Sequence, residues 1–232
     1  MNMAKIKMSP SMMCVNMLGI QKDLDMFRRY GIDYLHIDIM DGHYVPNFTL
    51  GVDFCRTLDE YSPIPLDIHL MIENVDQYVP MFAEFENAVV CIHPETAYHP
   101  IRTLQSISSC GARPGIAVDP AMSLEHVRHL LPFAEMVCIM TVNPGYSGQV
   151  LIPGMLDKTE QFSNYFRENR LDIELEVDGN VSWDNIPAMV RAGAETLVLG
   201  SSSLFDGARS LQENIEKLNG MLHETQAAGK HS

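Results

Sequence analysis

The apolar positions of this chain gather into eight short runs, near residues 5–9, 33–40, 64–71, 88–93, 113–118, 135–142, 172–178 and 195–200. Each is followed by an amphipathic or helix-prone stretch. The runs are nearly continuous, as in parallel strands covered on both faces. Eight strand–helix units in 232 residues predict a closed (β/α)8 TIM barrel of the α/β class, with an open doubly wound sheet as the competing architecture. Against the open sheet, no GxGxxG follows the first run, which continues SPSMMC from Ser9 to Cys14. No nucleotide cofactor is expected.

A second regularity lies within the runs. Successive side chains of a strand point to opposite faces. In YLHIDIMDG, His36, Asp38 and Met40 share one face while Leu35, Ile37 and Ile39 share the other. The same parity groups Asp67, His69 and Met71 in PLDIHLM, and Glu174, Glu176 and Asp178 in ELEVDG. Taken singly, such residues read as core histidines or turn aspartates. Together they fall at strand ends, where these barrels build their sites. His36, Asp38, His69 and Asp178 predict a metal centre of two imidazoles and two carboxylates. That donor set suits one divalent ion, Zn, Mn, Fe or Co.

The segment MTVNPGYSGQ adds an anion site, because Gly145 and Gly148, flanking Tyr146 and Ser147, let backbone N–H groups turn toward a ligand. Asp178-Gly179-Asn180 and Gly200-Ser201-Ser202 follow the last two runs, the latter expected at the start of a short helix. No GxxxxGK[ST] lysine accompanies them, so the ligand expected is a sugar phosphate rather than ATP. Ser11 is placed to orient a substrate oxygen, and Met40, Met71 and Met140 to form an apolar ceiling beside the metal ligands. With no GxSxG elbow, nucleophilic catalysis is not indicated.

A formal net charge of −14 argues against nucleic acid or an anionic membrane as partner. A small molecule or another protein remains, and a homo-oligomer is expected. Five cysteines without a CxxC pair are expected to be reduced and mostly buried, in the cytoplasm. MNMAKIKMSP lacks a signal peptide's apolar stretch, and no run approaches the ~18 apolar residues of a membrane span. One domain is expected over 1–232, with a mobile tail from about 225.

Taken in order over residues 5 to about 210, SPSMMC, HIDIMDGHYVPN, DIHLM, HPET, MTVNPGYSGQ, MLDK, EVDGN and GSSSLF resemble the ribulose-phosphate 3-epimerase family. The resemblance implies a ribulose-phosphate-binding barrel and a divalent metal on His36, Asp38, His69 and Asp178. It implies epimerisation at C3 of a phosphorylated ketose, with Asp38 and Asp178 as the two proton-transfer acids. It further implies that Ser11 and His69 touch the sugar and that Gly145 to Gly148 and Gly200 to Ser202 hold the phosphate. Met40, Met71 and Met140 would line the reaction centre, and Asp178 to Asn180 would complete the pocket. The ribulose-phosphate enzymes usually carry glycine where Ser147 and Asn180 stand and alanine at Ser202. SMMC, HPET, MTV, MLDK and GSSSLF look more like the allulose-6-phosphate 3-epimerase branch. That implies D-allulose 6-phosphate to D-fructose 6-phosphate, with D-ribulose 5-phosphate to D-xylulose 5-phosphate as the alternative. A related sugar-phosphate decarboxylase and a non-catalytic sugar-phosphate binder fit less well, because both histidines and both carboxylates of the metal set are present.

Overall fold

The computed structural model describes residues 5–229. Its strands are β1 (Lys7–Pro10), β2 (Leu35–Asp41), β3 (Phe48–Thr49), β4 (Leu66–Met71), β5 (Val89–Ile92), β6 (Arg113–Val118), β7 (Met136–Met140), β8 (Glu174–Asp178) and β9 (Thr196–Leu199). Between them lie α1 (Ile20–Tyr30), α2 (Val52–Tyr61), α3 (Val79–Phe82), α4 (Pro100–Ser109), α5 (Leu124–Val127), α6 (Met155–Asn169) and α7 (Ile186–Arg191), and α8 (Leu211–Gly229) follows β9. Every apolar run expected to be a strand is one. All but β3 pair in parallel, in the order β1-β9-β8-β7-β6-β5-β4-β2. The first and last members of that row meet through a parallel bridge between Ser11 and His36, beside the bonds from Asp33 N and Tyr34 N to the Met8 carbonyl. The sheet is therefore closed, a (β/α)8 barrel rather than an open sheet.

Parity divides each strand as expected. Leu35, Ile37 and Ile39 of β2, Leu66, Ile68 and Leu70 of β4, and Leu175 and Val177 of β8 face outward into the main apolar core. The helices meet them with stripes of their own. On α6, Met155, Thr159, Phe162 and Phe166 are buried at spacings of four, three and four. Helix α1 stops at Gly31, whose φ of +67° lets its N–H reach the Phe27 and Arg28 carbonyls. Helix α6 ends on Arg170 in the same left-handed conformation, φ +55°, without glycine's freedom.

The inward faces of β2, β4 and β8 carry the polar groups, those of β5, β6 and β7 are largely apolar, and the lower barrel is closed by an ion cluster. Glu174 accepts from Lys7 Nζ at 2.7 Å, Tyr34 Oη at 3.1 Å and Arg113 Nη2 at 3.2 Å. A buried carboxylate so fully paired does not carry the cost of an isolated charge.

Two features depart from the expectations. Strand β3 was not foreseen; its antiparallel pairing with β2 matches Met40 with Thr49 and Asp41 with Phe48, and Thr49 Oγ1 donates to the Asp38 carbonyl at 2.6 Å. Residues 201–205 form turns instead of the short helix expected after Gly200, with the N–H groups of Ser203 and Phe205 both closing on the Gly200 carbonyl. The tail expected from about 225 lies partly in α8, which runs to Gly229, and partly outside the described residues. All five cysteines are free; Cys55, Cys91 and Cys138 are buried, Cys14 is half-buried and Cys110 is exposed. Among the described residues no helix is long and apolar enough to cross a membrane.

Candidate active site and metal centre

The inward parity of β2, β4 and β8 brings His36, Asp38, His69 and Asp178 together at the carboxyl ends of the strands. One ligand atom from each lies within 4.8 Å of all the others. His36 is held from below: its Nδ1 is 2.6 Å from Asp67 Oδ2, an oxygen that also accepts from Ser9 Oγ at 2.9 Å. That leaves Nε2 facing Asp38 Oδ1 at 3.2 Å. His69 presents Nδ1, 3.3 Å from Asp38 Oδ1 and 3.8 Å from Asp178 Oδ2. This buried nitrogen has no hydrogen-bond partner. A buried lone pair left unpaired is costly, and a metal ion would satisfy it. The residues fit the divalent ion that the donor set suggests.

Electrostatics separate the two carboxyls. Burial alone would raise both. At Asp38 the charge and hydrogen bond of His36 win and hold the carboxyl well below its usual range. At Asp178 burial and the charge of Asp38 outweigh His36 and His69, and the carboxyl moves up. His36 itself is raised well above 6.5: burial opposes its charge, but Asp67 and Asp38 on either side favour it more. Beneath them Glu176 is pushed well up by burial and the charge of Asp67.

Above His36, Asp38, His69 and Asp178 is a cavity. Its wall includes Ser11, Met40, Met71, Met140, Gly145, Tyr146, Ser147, Gly148, Asp178, Gly179, Asn180, Gly200, Ser201 and Ser202, together with Asp38. The residues proposed from sequence as substrate contacts thus share one space, apart from His69, which lies beneath as a neighbour of Asp38 and Asp178. Ser11 Oγ donates to Asp38 Oδ2 at 3.1 Å. The loop backbones are set by conformation: Gly145, Gly148 and Gly179 have φ of +112°, +78° and +105°. At Gly179 a Cβ would stand 2.5 Å from Val142 Cγ2, so strain and space both exclude a side chain. Asn180 is also left-handed at φ +44°, which asparagine tolerates, and its Oδ1 accepts from Asn185 Nδ2 at 2.7 Å.

Sequence reasoning placed Asp67 and Glu176 on the inward face without giving them a role, and it missed Tyr44, His93 and Glu95 as site residues. Strand parity extended one step beyond β5 would have flagged His93, since Val89 and Cys91 point into the barrel. It is fully buried, and its Nε2 is 2.8 Å from His69 Nε2. Cavity-wall residues Met13, Cys14, Val142, Asn143 and Gln149 also lacked a signal of their own.

A closed barrel that gathers two carboxyls and two histidines around one cavity at its strand ends has the layout of an enzyme site for a small substrate. Residues 7–205 match the model of the Ribulose-phosphate 3 epimerase family, and the chain belongs to that family. It is an epimerase acting at C3 of a sugar phosphate. Ribulose-phosphate 3-epimerase 1 of Cupriavidus necator is 38% identical over 202 residues, 85% of this chain and 83% of that protein. Ribulose-phosphate 3-epimerase of Aquifex aeolicus is 35% identical over 215 residues, covering 93% and 96%. That of Escherichia coli is 37% identical over 205 residues, covering 88% and 91%. Among solved structures, a mutant tryptophan synthase alpha-subunit from Pyrococcus furiosus aligns with a TM-score of 0.63 at 15% identity, over 93% of this chain and 98% of that one. At that identity the likeness speaks for the barrel alone.

Proposed function

We propose that this chain is a metal-dependent epimerase interconverting D-ribulose 5-phosphate and D-xylulose 5-phosphate. The observation that carries the reading is the pair Asp38 and Asp178, two carboxyls from separate strands that meet at one cavity beside His36 and His69. The C3 proton lies beside the C2 carbonyl, so its removal leaves an enediolate. Inversion requires that a proton leave one face of C3 and another arrive on the opposite face. One of Asp38 and Asp178 accepts the proton and the other donates, and their roles exchange with the direction of reaction. A divalent ion held by His36 Nε2, His69 Nδ1 and the two carboxylates would supply positive charge to the developing anion, an effect on the scale of about 12 kcal/mol for water bound to zinc. Backbone N–H groups of the 145–148 and 200–202 loops, with the Ser147, Ser201 and Ser202 hydroxyls, are the proposed phosphate contacts.

The names of the relatives support the ketopentose phosphate. One feature favours D-allulose 6-phosphate as the second reading: Ser147, Asn180 and Ser202 put polar side chains on the cavity wall where the family usually has none. A ketohexose phosphate carries one more hydroxyl to engage them, and a site discriminates strongly for a hydroxyl it hydrogen-bonds.

Proton NMR in heavy water with both sugar phosphates tests the proposal. Epimerisation with deuterium entering C3, at a higher kcat/KM for D-ribulose 5-phosphate, is expected. A higher value for D-allulose 6-phosphate selects the second reading, and no exchange at C3 of either sugar rejects the epimerase. Asp178→Asn should abolish net epimerisation yet leave slow exchange in one epimer, and Asp38→Asn should leave it in the other. Equal residual exchange from both epimers in a fully metallated variant would count against two acids on opposite faces.

A further inference from the structure

Three of the sequence segments noted above meet in a line of hydrogen bonds that leads away from the metal centre. His69 Nε2 lies 2.8 Å from His93 Nε2, His93 Nδ1 lies 2.9 Å from Tyr44 Oη, and Tyr44 Oη donates to Glu95 Oε1 at 2.7 Å. The histidines are fully buried and the Glu95 carboxyl is partly exposed. The line is held at both sides. Asp41 Oδ1 accepts from the backbone N–H groups of His43 and Tyr44, which fixes the turn carrying the tyrosine. Thr96 bonds the His93 carbonyl through both its N–H and its hydroxyl, which fixes the turn carrying Glu95.

The direction of every bond follows from the outer end. An ionised carboxylate only accepts, so the Tyr44 hydroxyl spends its proton on Glu95 and presents a lone pair to His93. Glu95 Oε1 also lies 3.5 Å from His93 Nδ1, so both neighbours of that nitrogen call for a proton on it. A neutral His93 then has a bare Nε2, which accepts, and His69 must donate from its own Nε2. The remaining nitrogen of His69 is Nδ1, the buried atom without a partner that faces Asp38 and Asp178.

We propose that Glu95, Tyr44 and His93 are positioning residues that lock His69 with its proton on Nε2, and that this lock sets how tightly the site holds a divalent ion. Only the second half of the inference rests on the metal-dependent reading. The proton position belongs to the metal-free chain. Outer partners of a metal-binding histidine fix its ring and raise its basicity, and their loss typically costs 10–100-fold in metal affinity.

Nitrogen NMR of chelator-treated protein labelled with 15N-histidine reads the tautomer directly, and chelator competition with zinc or manganese reads the affinity; neither needs turnover. In the unsubstituted chain His69 is expected as the single Nε2–H tautomer. Tyr44→Phe keeps the ring that packs beside Met40 and Met71 and removes only the hydroxyl. It should give a mixture of His69 tautomers and metal binding weaker by about 10–100-fold. Glu95→Gln, at a partly exposed site where folding is less at stake, should weaken binding in the same direction by less. A proton on His69 Nδ1 in the metal-free chain, or Tyr44→Phe with unchanged tautomer and unchanged metal affinity, overturns the inference. If the unsubstituted chain binds neither metal, the metal-dependent epimerase reading fails instead, while the tautomer measurement still decides the lock.

Discussion

His36 illustrates how much of this site is decided by single side chains. Its imidazole lies between Asp67 and Asp38, and although burial opposes a charge there, the two carboxylates raise its affinity for a proton well above the ordinary 6.5. Since the folded chain holds that proton more tightly than the unfolded one, the stabilisation is complete below pH 6.5 and is lost as pH rises through the folded value. Glu176, raised by burial and Asp67, gives a slope of the same sign starting from about 4.5. The melting temperature of metal-free protein should therefore fall as pH rises above about 6.5, and zinc or manganese should restore it. Metal binding must also displace the His36 proton, so affinity should rise with pH, and calorimetry in buffers of different ionisation enthalpy should report at least one proton released per ion. A melting temperature independent of pH in chelator-treated protein would contradict the charged ring. The four proposed metal ligands were legible in the sequence because strand alternation is local. The Tyr44–His93 contact was not, since it joins a turn after β2 to the end of β5, which only the closed barrel brings together.

At the level of elements, α6 contains one strong contact and one strained end. Phe162 is fully buried and stands edge-on to Phe166 with ring centroids 6.0 Å apart. Phe162→Ala should destabilise the chain by about 3–5 kcal/mol through lost transfer energy and an unfilled cavity. Arg170, in the left-handed conformation at the helix end, bears a strain that glycine would not. Arg170→Gly should raise stability by up to about 1 kcal/mol, less than the full strain because the unfolded chain gains freedom as well. Denaturant midpoints at equal m-values check both, and a loss of stability in Arg170→Gly would show that the arginine side chain contributes more than its backbone costs. The eight barrel strands could be read from their apolar runs alone. Strand β3 could not, since Phe48 and Thr49 become a strand only by pairing with residues already fixed in β2. The turns after Gly200 were likewise beyond reach, because serines there suit a helix start and a turn almost equally.

For the molecule as a whole, the decisive feature is where the barrel closes. Eight repeats of strand and helix predict closure, but not that the join between β1 and β2 is the thinnest in the sheet, made of the Ser11–His36 bridge and the bonds of Asp33 and Tyr34 to Met8. That join also carries chemistry: Ser9 reaches Asp67, and Ser11 reaches Asp38. Strand β1 therefore links a lightly bonded edge to the groups that would grip an ion. It follows that the metal should act as a clasp. Hydrogen exchange of the amides of Met8, Ser9, Ser11 and residues 33–36 should be faster than in β6 and β7 in metal-free protein and should slow selectively when zinc or manganese is added. Uniform slowing across all strands would instead mean that the barrel opens only by unfolding outright. With a clasp of this kind, depriving the protein of metal would first loosen a hem along one side of the molecule, leaving most of the wall intact and ready to be refastened.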